Sequence, residues 1–230
     1  MRKIILMTAF CVAGSFINIA VIRLCFIAGI PLYLDTIMTI SITLTGGFFW
    51  GALCGMLTNL IHHTFWGWGW EGYLFILCDI ATAFVTWLFM RLFPGELNLS
   101  VKLNKTRSAP SGIVYKSSLF SMVMDRLIVL IILSFALCLA MSFLGGLIAY
   151  IILTISSSYN FEGSGITALF RSSMFKGRTP VIVSEIVSRV PVNIVDRLIS
   201  AFCGFAIALG LTKVLTAKTP ILRYFSREKI

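Results

Sequence analysis

Six runs of this chain are apolar over lengths that approach or exceed a bilayer crossing: Ile4 to Phe26, Leu34 to Phe49, Trp50 to Phe65, Tyr73 to Leu92, Leu127 to Ile155 and Pro191 to Leu215. A helix rises ~1.5 Å per residue, so a span of the hydrocarbon core takes about 20 mainly apolar residues. Hydrophobic residues make up 58% of the 230 positions and charged residues only 12%, against ~25% charged in ordinary soluble domains. The expectation is an all-α integral membrane protein, a bundle of six transmembrane helices. The second and third runs are short and separated only by glycines. The fifth contains Gly145-Gly146, but the piece beyond, Leu147 to Ile155, is too short to cross alone, so a single tilted helix is expected.

The formal charge is +10, and in a membrane chain its arrangement matters more than its sum. With the N-terminus inside, Arg2, Lys3, Arg91, Lys102, Lys105, Arg107 and Lys116 fall on the cytoplasmic side, as do Lys213, Lys218, Arg223, Arg227 and Lys229. Both termini are then cytoplasmic, and no nucleic-acid role is needed to explain the charge. Arg171, Lys176, Arg178 and Arg189, in the loop before the last run, oppose this orientation. The expected organisation is a single six-helix membrane domain over residues 1–217 and a basic cytoplasmic tail over 218–230. Within the domain, a polar cytoplasmic linker covers 94–118 and an outer loop covers 156–190.

The first run carries Asn18 and Arg23 and lacks a small-x-small cleavage site, so it is expected to remain as a helix. The six cysteines are scattered one per run or run edge, without Cys-x-x-Cys spacing, and read as packing residues. His62 and His63 are adjacent and point to different helical faces, so no metal site is expected. There is no Gly-x-Ser-x-Gly elbow and no Gly-x-x-x-x-Gly-Lys-Ser/Thr loop, so neither hydrolase chemistry nor ATP hydrolysis is expected of this chain. No cofactor is implied.

Ionisable and amide groups inside spans are costly and face a cavity or a partner. In the stretch "RVPVNIVDRLIS", Asn193, Asp196 and Arg197 fall within about two turns of the start of the sixth run. On the same topology Asp35, Asn59, His62, His63, Glu71 and Asp79 lie in the outer half or at the outer rim. With Trp66, Trp68, Trp70 and Tyr73 beside them, they suit a small polar ring compound held by stacking and a few directed contacts. Two plainer readings stand beside this one. The tryptophans fit an interfacial belt, and Asp196 and Arg197 fit an ion pair that ties helices together.

Small residues form two ridges: Ala9 and Ala13 in "TAFCVAGS", and Gly47, Gly51 and Gly55 in "GGFFWGALCGM". Either serves close packing of helices. With "GIPLYLDTI", "GGFFWGALCGMLTNLI" and "VPVNIVDRLISAFCGF", the chain resembles the substrate-binding S components of energy-coupling factor (ECF) vitamin transporters, six-helix proteins of the bacterial cytoplasmic membrane. The resemblance implies a substrate-capturing subunit of an ABC importer. Ala9 and Ala13 match the family's Ala-x-x-x-Ala motif and would dock a transmembrane coupling (T) component tied to two ATP-binding subunits. The loop Ala28 to Leu34 would cover the site. Asp35, Asn59, His63, Asp79, Asn193, Asp196 and Arg197 would contact a vitamin-like substrate. A non-transporting membrane sensor of the same fold is the alternative; it should carry an output element, and residues 216–230 are only a short basic stretch.

Overall fold

The structure is a computed structural model that describes residues 2–66, 70–97, 99, 107–108, 114–115, 119–155 and 180–218. Trp68, Arg171, Lys176, Arg178, most of the linker and outer loop, and the tail beyond residue 218 lie outside the described residues. The described residues are helical almost throughout: α1 (Arg2–Ile27), α2 (Ile37–Gly46), α3 (Phe48–Trp66), a 3₁₀ turn (Trp70–Phe75), α4 (Ile76–Leu92), α5 (Pro94–Leu97), α6 (Leu119–Ile155), α7 (Val181–Val187) and α8 (Val190–Lys218). Between α5 and α6 a two-residue antiparallel pairing sets Arg107 opposite Tyr115 and Ser108 opposite Val114.

Four stretches are long and apolar enough to cross a membrane: Ile4–Ile27, Trp70–Leu92, Val123–Ile155 and Val181–Thr212. They carry outward-facing Ile, Leu, Val and Phe along much of their length, including Ile5, Phe16, Leu24, Phe84, Ile131, Phe135 and Val195. Such a surface suits hydrocarbon and not water. The other two runs behave differently. α3 has 19 residues, and α2 has only ten, of which Ile37 through Leu44 are all buried.

α2 is the central post. It packs against α1, α3, α4 and α8, while α6 closes the other side by packing on α4, α7 and α8. Ile40 and Leu44 of α2 join Phe89, Leu130, Leu133, Leu137, Phe205 and Ala208 in the main apolar core. Met38 and Ile42, on another face of α2, meet Met7, Cys11 and Cys54. Burial on every side requires the polar residues of α2 and its neighbours to be satisfied locally. The hydroxyls of Ser15, Thr43, Thr58, Thr82, Thr86 and Ser134 each donate to the carbonyl four residues earlier in their own helix, at 2.7–3.0 Å.

Two boundaries differ from the sequence expectation. α6 starts at Leu119, eight residues before the expected Leu127, and runs as the expected single helix for 37 residues, about 55 Å at 1.5 Å per residue. Gly145-Gly146 does not break it, because Gly146 is the notch for α7: a Cβ there would lie 2.7 Å from the Ile186 Cα. The sixth run starts earlier than Pro191. α7 precedes α8, and Pro191 is only the second residue of α8, where a proline sacrifices an N–H that has no intrahelical partner anyway.

The glycine ridge is used inside the molecule. Gly47, at φ 93°, makes the one-residue turn from α2 to α3. A Cβ on Gly51 would overlap the Thr43 side chain and press on the Thr39 carbonyl oxygen at 3.1 Å, and one on Gly55 would lie 2.7 Å from the Asp79 Cβ. Gly51→Leu is therefore expected to separate α2 from α3 and cost at least about 1–3 kcal/mol. Gly210→Ala, on an exposed surface with nothing within 4 Å of the new Cβ, is expected to be neutral or to stabilise by up to about 1 kcal/mol. Thermal melts in detergent, followed by size-exclusion chromatography, give the comparison.

Candidate functional site

The interior is polar at one end and apolar at the other. Along α4 the buried positions read Asp79, Thr82, Ala83, Thr86, Phe89; along α8 they run from Asn193, Asp196, Arg197 and Ser200 to Phe205 and Ala208. α6 runs in the opposite sense and brings Ser142 to this level, with the apolar Ile148, Ala149 and Ile152 buried beyond it. The polar ends of α4 and α8 gather where α2, α4 and α8 begin.

One group there is organised by Arg197, which is 4% exposed. Its Nη2 lies 3.1 Å from Asp35 Oδ1 and 2.8 Å from Asp196 Oδ2. The first contact is a hydrogen bond; the second is an ion pair whose angles are not those of a hydrogen bond. Nη1 donates to the Thr36 hydroxyl. Asp196, with no exposed surface, uses its other oxygen, Oδ1, to accept the backbone N–H of Tyr33 at 3.1 Å and of Leu34 at 2.8 Å. Together these contacts hold the segment between α1 and α2 against α8. Leu34 is held there at φ 48°, a left-handed conformation that costs an L-residue about 1–2 kcal/mol. Strain of this kind persists only where surrounding contacts over-determine it, and the Asp196 carboxylate is such a contact. The ion pair that ties helices and the substrate-facing cluster, set apart as two readings of Asp196 and Arg197, share the same atoms.

A second group joins α3 to α4. Asn59 Nδ2 donates to Asp79 Oδ2 at 2.8 Å, and Asp79 is 2% exposed. His63, one turn after Asn59 on the same face of α3, lays its ring over Gly72, where a side chain would collide with it, and meets Tyr73 edge-on at 5.9 Å between centroids. His62 stacks on Trp66, and Arg23 lies 5.3 Å from the centre of that same ring. Both groups lie at the polar end of the bundle, where α2, α4 and α8 begin.

Asn193 stands apart from both groups and donates to the Ser142 hydroxyl of α6 at 3.0 Å. Glu71 is buried in the 3₁₀ turn. Ala9 and Ala13 face outward on α1, opposite the face formed by Cys11, Gly14, Ser15 and Asn18. Among the described residues no group of three or more His, Cys, Asp or Glu is placed to hold a metal ion.

Sequence reasoning passed over Asn18 except as a mark against a signal peptide. Its Oδ1 accepts the Met38 N–H at 2.9 Å, capping α2, and its Nδ2 donates to Thr39 and Thr58. The available signal was a lone amide in an apolar run. Comparisons with protein-family models, with curated proteins and with solved structures returned no match.

Removing the acceptor that holds the α1–α2 segment is expected to matter more than relieving its strain. Asp196→Ala strips two N–H groups of their partner and Arg197 of one counter-charge, for an expected loss of about 3–5 kcal/mol. At position 34 stability is expected to fall in the order Leu34→Gly, about equal to wild type, then Leu34→Val, because a β-branched residue tolerates φ > 0 least. Thermal melts of the detergent-purified variants test both.

Proposed function

We propose that this protein is the substrate-capturing subunit of an ECF-type ABC importer, which binds a vitamin or related small micronutrient from the outer side of a bacterial cytoplasmic membrane. In this reading the chain crosses six times with both ends cytoplasmic. α2, about 15 Å long at ten residues, is the second of these crossings and lies inside the bundle, walled in by its neighbours. The polar end of the bundle is then the outer end. The loop Ala28 to Leu34 lies over it as a cover.

The observation that carries the reading is the convergence of Asp35, Asn59, Asp79, Asp196 and Arg197, from three helices and one connecting segment, at the polar end of an otherwise apolar bundle. Buried ionisable groups in a membrane bundle mark a ligand or ion path by default. Energy for uptake comes from partners, a transmembrane coupling component and two ATP-binding subunits. The outward-facing pair Ala9 and Ala13 offers a low, unoccupied ridge for the coupling component.

The direct test is mass spectrometry of small molecules released on denaturing the detergent-purified protein, set against a mock purification. A single stoichiometric vitamin-like compound is the expected result; its absence after growth on those nutrients counts against a capture subunit and for a sensor. Ala9→Trp and Ala13→Trp are expected to leave the amount of bound compound unchanged and to reduce cellular uptake at least tenfold. Asn193→Ala, which removes a tie between α8 and α6 and touches neither polar group, is expected to lower thermal stability and to leave the amount of bound compound unchanged.

A further inference from the structure

The charges at the polar end do not cancel. Arg197 is engaged by two carboxylates at once, Asp35 at 3.1 Å and Asp196 at 2.8 Å. Asp79 is left with the Asn59 amide as its hydrogen-bond donor, and among the described residues no Lys, Arg or His nitrogen forms an ion pair with it. A buried carboxylate held by a single neutral donor is expensive, because such a group needs a counter-charge or further donors to replace lost water.

A second, independent feature lies beside it. Asn59 spends its Nδ2 on Asp79, and its Oδ1 is buried without a hydrogen-bond partner. One turn along the same face of α3, His63 Nδ1 is likewise buried and unpartnered. Side-chain oxygens and nitrogens in such positions ordinarily find partners. Asp79 and Asn59 Oδ1 thus present acceptors side by side, with the Asn59 donor already spent, and His63 Nδ1 extends the strip as a third when the ring carries its proton on Nε2. The backbone leaves room for this arrangement: Gly55 lets Asp79 approach α3, and Gly72 lets the His63 ring lie flat against the 3₁₀ turn. The complement of an acceptor strip ending in a carboxylate is a planar nitrogen cation carrying several N–H donors.

We propose that the strip formed by Asp79, Asn59 and His63 binds the cationic, N–H-rich end of the substrate, an amidine-like or protonated aminoheterocyclic group, with Asp79 as its counter-charge. The inference rests on the capture-subunit reading and narrows its substrate class.

The test uses the full-length protein in detergent and three flat probes of nearly equal size: benzamidine (cation), benzamide (neutral) and benzoate (anion). Each is titrated by isothermal calorimetry and by displacement of whatever compound co-purifies. Expected is binding of benzamidine at least tenfold tighter than benzamide, with benzoate weakest, and a co-purified compound that bears a protonatable nitrogen. Asp79→Asn, which keeps the shape, is expected to abolish the preference for benzamidine over benzamide. Should that variant not fold, His63→Phe keeps the ring over Gly72 but removes the acceptor, and is expected to weaken benzamidine at least threefold.

Equal or better binding of benzoate overturns the proposal. So does an Asp79→Asn protein that is more stable yet unchanged in its probe preference, which would mark Asp79 as a protonated packing group. If a compound co-purifies but is acidic, this inference fails while the capture reading stands; if nothing co-purifies and no probe binds, both fail.

Discussion

The constraint on which the rest depends is the need to satisfy a backbone that lipid cannot hydrate. α2 is only ten residues long and is walled in by four other helices, so the segment leading into it and its first turn expose N–H groups where no water waits. Protein acceptors take their place. Asn18 of α1 accepts from Met38, and Asp196 of α8 accepts from Tyr33 and Leu34. The Asp196 charge in turn requires Arg197, whose remaining reach is taken up by Asp35 and Thr36. A short central helix thus explains why an asparagine, an aspartate and an arginine sit deep within apolar runs.

That network and the α3–α4 pair have different economies. Around Arg197 the carboxylates and the guanidinium engage one another and the backbone, with Arg197 Nε and Asp196 Oδ2 left without a hydrogen bond, so the group acts first as an anchor for the segment between α1 and α2. Around Asp79 the partners run short. The distinction separates residues that hold the α1–α2 segment in place from the Asn59–Asp79 pair that joins α3 to α4, although all were expected alike to face a substrate. It also assigns Asn193 to a third task, joining α8 to α6 through Ser142.

The helical runs were legible because each is long, apolar and bounded by polar or glycine-rich breaks, and the depth of the polar residues followed from their place within those runs. Ala9 and Ala13 were legible as a small-residue pair, but not which face they occupy; only the packing of Cys11, Gly14, Ser15 and Asn18 against α2 and α3 leaves them outside. Gly47, Gly51 and Gly55 read as one ridge and turned out to do two jobs, a turn and two close approaches. Gly145-Gly146 read as lying within one continuous helix, and packing alone shows its use as a docking notch for α7, the short apolar piece "VIVSEIV".

By itself the sequence determined that the chain is a membrane-directed helical bundle with its ionisable residues toward one end, since hydrophobic length and the spacing of polar residues are one-dimensional properties. The tertiary structure decided which polar groups are spent on one another. Asp196 meets residues 33 and 34, and Arg197 meets residue 35, across more than 160 positions of chain. No local pattern specifies such pairings; they arise because burying α2 on all sides leaves its donors within reach of α1 and α8 alone.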